Sequence, residues 1–328
     1  MHSVTAAGVV MLACAGQATA SRFTLNETYD ATNFFDKFDF FSGKDPAGGH
    51  VAYQTREDAL KKRLIATLDD EVYIGADHET VVDATHGRPS VRLESKASYL
   101  KGLMIARFNH LPNKQCGVWP EFWTKGANRP HDGQIDIYEH WNEAPHNQPA
   151  LHTGLTSDVG LCQIDNVNQT GTVAAYNCDN NFEDPPRQGK GSGCSIVDTK
   201  GPWANEDGGV FAMEWTEEYL KLYNWHTGDE PDNIDSARPD TSSWGLPNLY
   251  VKNDECNIDK HFGAQKMVLH ITFCGVAGTK GFWGETCLDK TKTPQCVDYV
   301  SNSPADFKNT FWKVRDIRYF QPAKSCKK

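Results

Sequence analysis

The chain reads as an all-β protein, two antiparallel sheets packed face to face, on three grounds. Its apolar segments are short and often alternate with polar residues, as in Ser90-Val91-Arg92-Leu93-Glu94-Ser95, Val210 to Trp215 and Lys266 to Phe273. That is the period of a strand with one face buried. Turn-rich breaks such as Gly43 to Gly49 and Asp184 to Gly193 separate these segments at the spacing of a sandwich. Helical periodicity is almost absent: only Thr55 to Arg63 and Ser303 to Phe307 read as a turn or two of helix. No linker, repeat or charge block divides residues 21–328, which are expected to form a single domain.

Charge narrows the function classes. Lys and Arg number 33 against 43 Asp and Glu, a formal net charge of −10. The longest basic runs, Lys61-Lys62-Arg63 and Lys327-Lys328, are too short for a footprint on nucleic acid or anionic lipid. Neither partner is expected. Nine tryptophans over this acidic background suit a carbohydrate-handling protein, and they suit a β-rich core equally.

Residues 1–20 carry no Lys, Arg, Asp or Glu. An apolar run from Ala6 to Ala15 leads to Ala18-Thr19-Ala20, a small-x-small site, so this segment reads as a secretory leader cleaved after Ala20. A secreted, extracellular and monomeric protein is expected. Of ten cysteines, Cys14 falls in the leader, leaving nine. None forms a CxxC pair, so neither a metal site nor another cofactor is expected. In an oxidising compartment most should be bridged. An odd number leaves one over, and Cys326, near the terminus, is the expected free thiol. Asn26-Glu27-Thr28 and Asn168-Gln169-Thr170 are glycosylation acceptors of the kind secreted proteins carry.

The chemistry lies in Asp132-Gly133-Gln134-Ile135-Asp136-Ile137-Tyr138-Glu139. Alternation puts Gln134 and Asp136 on one face of a strand and Ile135 and Ile137 on the other. Glu139 would fall opposite unless one extra residue bulges the strand and returns it. In that case the three polar side chains form a row. Retaining glycosidases bring two carboxyl groups to about 5–5.5 Å in such a row. Taken alone, the residues fit an edge strand with solvated acids at least as well.

The surrounding segments change the weighting. Cys116-Gly117-Val118-Trp119-Pro120-Glu121-Phe122-Trp123 precedes this strand, and Asn142 through Leu151-His152-Thr153 follows it. Together they resemble glycoside hydrolase family 16, specifically the fungal laminarinase-type endo-β-1,3(4)-glucanases. The pattern there runs GxWPAFW, GEIDIIEGVN, TLHT. Phe34 to Phe41, Gly87 to Arg92, Gly208 to Trp215, Pro239 to Gly245, Cys296 to Val300 and Phe311-Trp312 continue the likeness in order. The resemblance implies a concanavalin-like β-jelly roll with a substrate cleft across its concave sheet, and a β-1,3-glucan or mixed-linkage β-glucan as partner. It also implies roles by position: Glu139 as general acid/base, Asp136 as the residue that tunes the nucleophile, and Gln134 at the nucleophile's place. Trp119, Trp123, Glu121, Arg88, Asn142 and His152 become candidates for substrate binding, with Trp141 beside them.

Gln134 departs from that pattern where the departure matters most. A carboxamide has no anionic oxygen with which to attack an anomeric carbon. Without a charge at 134, Glu139 is expected to ionise more easily than in an intact site. Glu121 replaces the usual Ala, Arg129 stands where Trp is frequent, and His140-Trp141 replaces Gly-Val, a cluster of changes that favours natural drift over a single engineered substitution. Two functional classes stay open: a weakened or re-equipped β-glucan hydrolase, and a secreted glucan-binding pseudoenzyme. If Glu121 shares the face of Trp119 and Trp123, it could activate a water from about 6.5–9.5 Å away from Glu139; otherwise it pairs with Arg129 or ends in solvent.

Overall fold

A computed structural model describes residues 23–323. The leader and Cys326 lie outside them. Two eight-stranded sheets dominate, and every pairing within them is antiparallel. One runs Leu249–Lys252, Tyr219–Trp225, Gly209–Trp215, Gly102–His110, Phe311–Pro322, Val72–Gly75 and Ile65–Thr67, with Phe23–Asp30 also paired to Phe311–Pro322. The other runs Thr172–Ala175, Cys194–Val197, Ala150–His152, Gln134–Glu139, Val118–Gly126, Gln265–Phe273, Arg92–Ser95 and Phe38–Phe40. A short parallel pair, Val51–Tyr53 with Arg88–Ser90, is an addition.

Alternation drives the packing. Phe108, Phe211 and Trp312 point inward from the first sheet and meet Phe122 and Tyr138 from the second. Ring centroids are 5.5 Å apart for Phe108 and Phe122, 5.4 Å for Tyr138 and Phe211 and 5.1 Å for Tyr138 and Trp312. All are buried, and their tilted and edge-on contacts are the favoured aromatic geometries. This core fixes which way each strand faces, so the polar residues between the aromatics are forced to the outer face of the second sheet.

The expected helical turns are present as Arg56–Lys61, capped by the Thr55 side chain on the Asp58 amide, and as the 3-10 turn Pro304–Phe307. Four further helices escaped the pattern: Thr156–Val159, Ile258–His261, Lys280–Thr291 and Cys296–Asn302. The longest, Lys280–Thr291, contains Gly281 and Gly284, each costing about 1 kcal/mol against Ala in a helix. It is held instead by buried Trp283 and by a disulfide from Cys287 to Cys116, while Cys296 ties the next helix to Cys274. With Cys162–Cys256 and Cys178–Cys194, every cysteine among the described residues is bridged. Asn26 and Asn168 are both exposed. Among the described residues, no helix is long and apolar enough to cross a membrane.

Candidate active site

The Gln134–Glu139 strand lies between Val118–Gly126 and Ala150–His152. Gln134 pairs with Lys125 and Asp136 with Trp123, yet Tyr138 pairs with Phe122, the very next residue on the neighbour. Two steps on one strand match one step on the other, so Ile137 is the extra residue of a bulge. Tyr138 thereby enters the aromatic core and Glu139 returns to the face of Gln134 and Asp136, opposite Glu121. The row expected from the sequence is formed.

Its hydrogen bonds define the chemistry. Gln134 Nε2 donates to Asp136 Oδ1 at 2.7 Å, and its carbonyl Oε1 is buried with no protein partner. Asp136 Oδ2 faces His152 Nε2 at 3.1 Å, and His152 Nδ1 is 2.9 Å from Asn180 Oδ1. The Glu139 amide donates to Asn147 Oδ1, and Glu139 Oε1 accepts the indole N–H of Trp119 at 2.8 Å. Burial holds the Glu139 carboxyl well above the usual carboxylate range, reinforced by the charges of Glu121 and Asp136. Position 134 contributes no charge to Glu139, but Glu121 adds one that the family pattern lacks.

Glu121 does share a face with Trp119 and Trp123, but it does not stand back from Glu139. It is the direct cross-strand partner and hydrogen-bonds with it. The spacing needed to place a water between two carboxyl groups is missing. Nor does Glu121 pair with Arg129, whose guanidinium lies 5.5 Å from the Trp123 ring centre; its partner is His270 Nε2, at 2.7 Å.

Three of the proposed substrate contacts are structural. Trp123 is 2% exposed, has Arg92 and Arg129 guanidinium groups against its ring, and donates Nε1–H to His270 Nδ1, leaving no free ring face for a sugar. Asn142 is buried at a positive φ of 52°, where its side chain accepts from the Gly117 amide and donates to the Ala277 carbonyl. Arg88 is fully buried away from the row, donating to the carbonyls of Val300, Ser301, Asp77 and Thr80 and to the Asp77 carboxylate. Each became a candidate through the resemblance, and its burial and side-chain partners give it a structural place instead. Arg88→Met should therefore cost on the order of 3 kcal/mol in stability, by leaving a partly buried carboxylate and several carbonyls unpaired. Sugar binding per folded molecule should stay unchanged, which calorimetry on material of checked folded fraction would show.

Trp119 and His152 remain at the row, half-buried. Trp141 is half-buried and makes edge-on contacts with His146 and Phe282. His270, Asn147 and Asn180 were not anticipated. His270 is one of several polar residues in its strand, and only the cross-strand register shows that it meets Glu121.

Comparison with known proteins gives a consistent picture. Residues 38–320 match the family described as "XgeA-like, catalytic GH16 domain". The chain is similar to an endo-1,3(4)-beta-glucanase of Arthroderma benhamiae, with 34% identity over 320 residues, covering 96% of this chain and 68% of that protein. An endo-1,3(4)-beta-glucanase of Emericella nidulans is 34% identical over 314 residues, 92% of this chain and 48% of its own length. The chain thus spans about half the length of that second relative. Among solved structures, an elongating GH family 16 beta-1,3-glucosyltransferase superposes with a TM-score of 0.80 at 34% identity, covering 91% of this chain and 100% of that one. GH16 laminarinase 16A from Phanerochaete chrysosporium, with beta-glucans (6-O-glucosyl-laminaritriose) in both donor and acceptor sites, gives a TM-score of 0.80 at 29% identity, covering 91% and 99%. The two-sheet architecture is the jelly roll these proteins share.

Proposed function

Given that the chain belongs to glycoside hydrolase family 16, we propose that it is a secreted β-glucan-directed member that binds β-1,3- or mixed-linkage glucan across the row of Gln134, Asp136 and Glu139. Retaining hydrolysis is disabled at position 134. The observation that carries this reading is the hydrogen bond from Gln134 Nε2 to Asp136 Oδ1. It turns the amide's N–H toward the aspartate and leaves a neutral carbonyl where a retaining enzyme needs an anion. Glu139 keeps the features of a general acid, a buried carboxyl whose proton is held by its surroundings. The acid is in place and its nucleophilic partner is not, a combination that suits recognition without turnover.

The test is titration of laminarihexaose into the purified protein in a calorimeter, with reducing ends assayed in the same sample. Saturable binding with no release of reducing ends is expected. Turnover at rates typical of glycosidases, about 1 per second or faster, would overturn the reading.

A further inference from the structure

Glu121 adds a carboxyl group where the family pattern has Ala. It is the cross-strand partner of Glu139, so the two Cβ atoms lie about 5 Å apart. Each residue is 8% exposed. Two buried carboxylates at this separation repel strongly, so the pair holds one proton between them. The neighbours decide where it sits. His270 Nδ1 accepts the indole N–H of Trp123, which leaves Nε2 as the nitrogen that donates to Glu121. Glu121 is thus supported as the anion. Glu139 has the charge of Asp136 beside it on its own strand and is disfavoured as one. The hydrogen bonds then run in one consistent direction: Trp123 to His270, His270 to Glu121, and Glu139 to the far side of Glu121.

We infer that Glu121, backed by His270, is a positioning residue that keeps the proton on Glu139, where it is shared with Glu121 in the sugar-free protein and turns to a bridging oxygen when a glucan binds. The oxygens bridging glucose units accept hydrogen bonds. A neutral carboxyl can donate to them and a carboxylate cannot. The inference rests on the proposed function only in taking Glu139 to face a glucan.

The ionisable groups around Glu139 come from each neighbouring strand. Asp136 lies on its own strand, Glu121 on Val118–Gly126, and His152 on Ala150–His152, reaching Asp136. Beyond Glu121 come His270 and then Arg92, its partner on Arg92–Ser95. His140, next along the chain, has its Nε2 against the Pro112 carbonyl. Removing the Glu121 charge takes an anion away from Glu139, so Glu139 should ionise at lower pH.

The experiment has two arms, applied to wild type, to Glu121→Gln and to Glu121→Ala. In the first, protein labelled with 13C at the glutamate carboxyls is titrated by NMR without sugar. Wild type should show one carboxyl that titrates above the ordinary glutamate range, and in both variants that titration should move down. In the second arm, laminarihexaose affinity is measured against pH. Affinity should fall as pH rises through the upper titration, and in the variants the fall should begin at lower pH. An unmoved titration in both variants overturns the proton sharing. A moved titration with an unmoved affinity profile overturns the positioning role. If wild type binds no sugar at any pH, the proposed function fails, while the sugar-free arm still supports or overturns the proton sharing.

Discussion

Gln134→Glu is expected to raise the rate of laminarin hydrolysis by at least about ten-thousand-fold, the order lost when one member of a catalytic set is removed. In free-energy terms this is about 5.4 kcal/mol of barrier. The substitution changes one NH2 group to an oxygen and leaves the volume almost untouched, so the backbone bulge and the His152 contact should survive. The electrostatics change more. The new carboxyl would lie against Asp136 Oδ1, where the Gln134 amide now donates at 2.7 Å, and two acids at that distance must share a proton. Asp136 would then hold the proton that leaves the new carboxyl anionic and nucleophilic. Proton NMR of the first-formed anomer should show retention of configuration. A variant no faster than its parent would mean that other differences in the cleft, not position 134, silence the site.

The second large effect concerns the Cys116–Cys287 disulfide, which closes a loop of 171 residues. The chain-entropy relation gives about 5 kcal/mol of stabilisation for such a loop. For Cys178–Cys194, separated by only 16 residues, it gives about 3 kcal/mol. Replacing both cysteines of the long bridge by Ala should therefore lower the unfolding free energy by about 5 kcal/mol, and roughly 2 kcal/mol more than the same change at the short one. Denaturant unfolding of the two double variants measures the difference directly. The long bridge also anchors Lys280–Thr291, a helix that its own sequence stabilises poorly, so strain or loosening there would add to the loss. Equal costs for the two bridges would show that loop length is not what makes them matter.

Strand alternation made the two-sheet architecture and the shared face of Gln134 and Asp136 legible, because a period of two is written in consecutive residues. The return of Glu139 was legible only as a condition, since a bulge is a property of two paired strands. Glu121 could be placed on the face of Trp119 and Trp123, yet its partner His270 lies about 150 positions along the chain and meets it only through register. Arg88, Asn142 and Trp123 show the opposite failure. The resemblance makes them candidates for a sugar contact, and only the packing reveals that each is already engaged by its own neighbours. The number of bridged cysteines could be anticipated, but their pairing could not, because many connectivities share one count.

The bulge at Ile137 makes this site depend on arithmetic as well as chemistry. Side chains at positions 121 and 134 can change one at a time while the cleft keeps its outline. The number of residues between Asp136 and Glu139 has no such freedom. Deleting Ile137 would remove the bulge and restore strict alternation, with Tyr138 still in the aromatic core and Glu139 still beside Glu121, but without the local bend and twist that the extra residue gives the strand. Point substitutions at 121 and 134 therefore change the charge of the site, whereas a single-codon deletion in this strand would change the angle at which its side chains are presented.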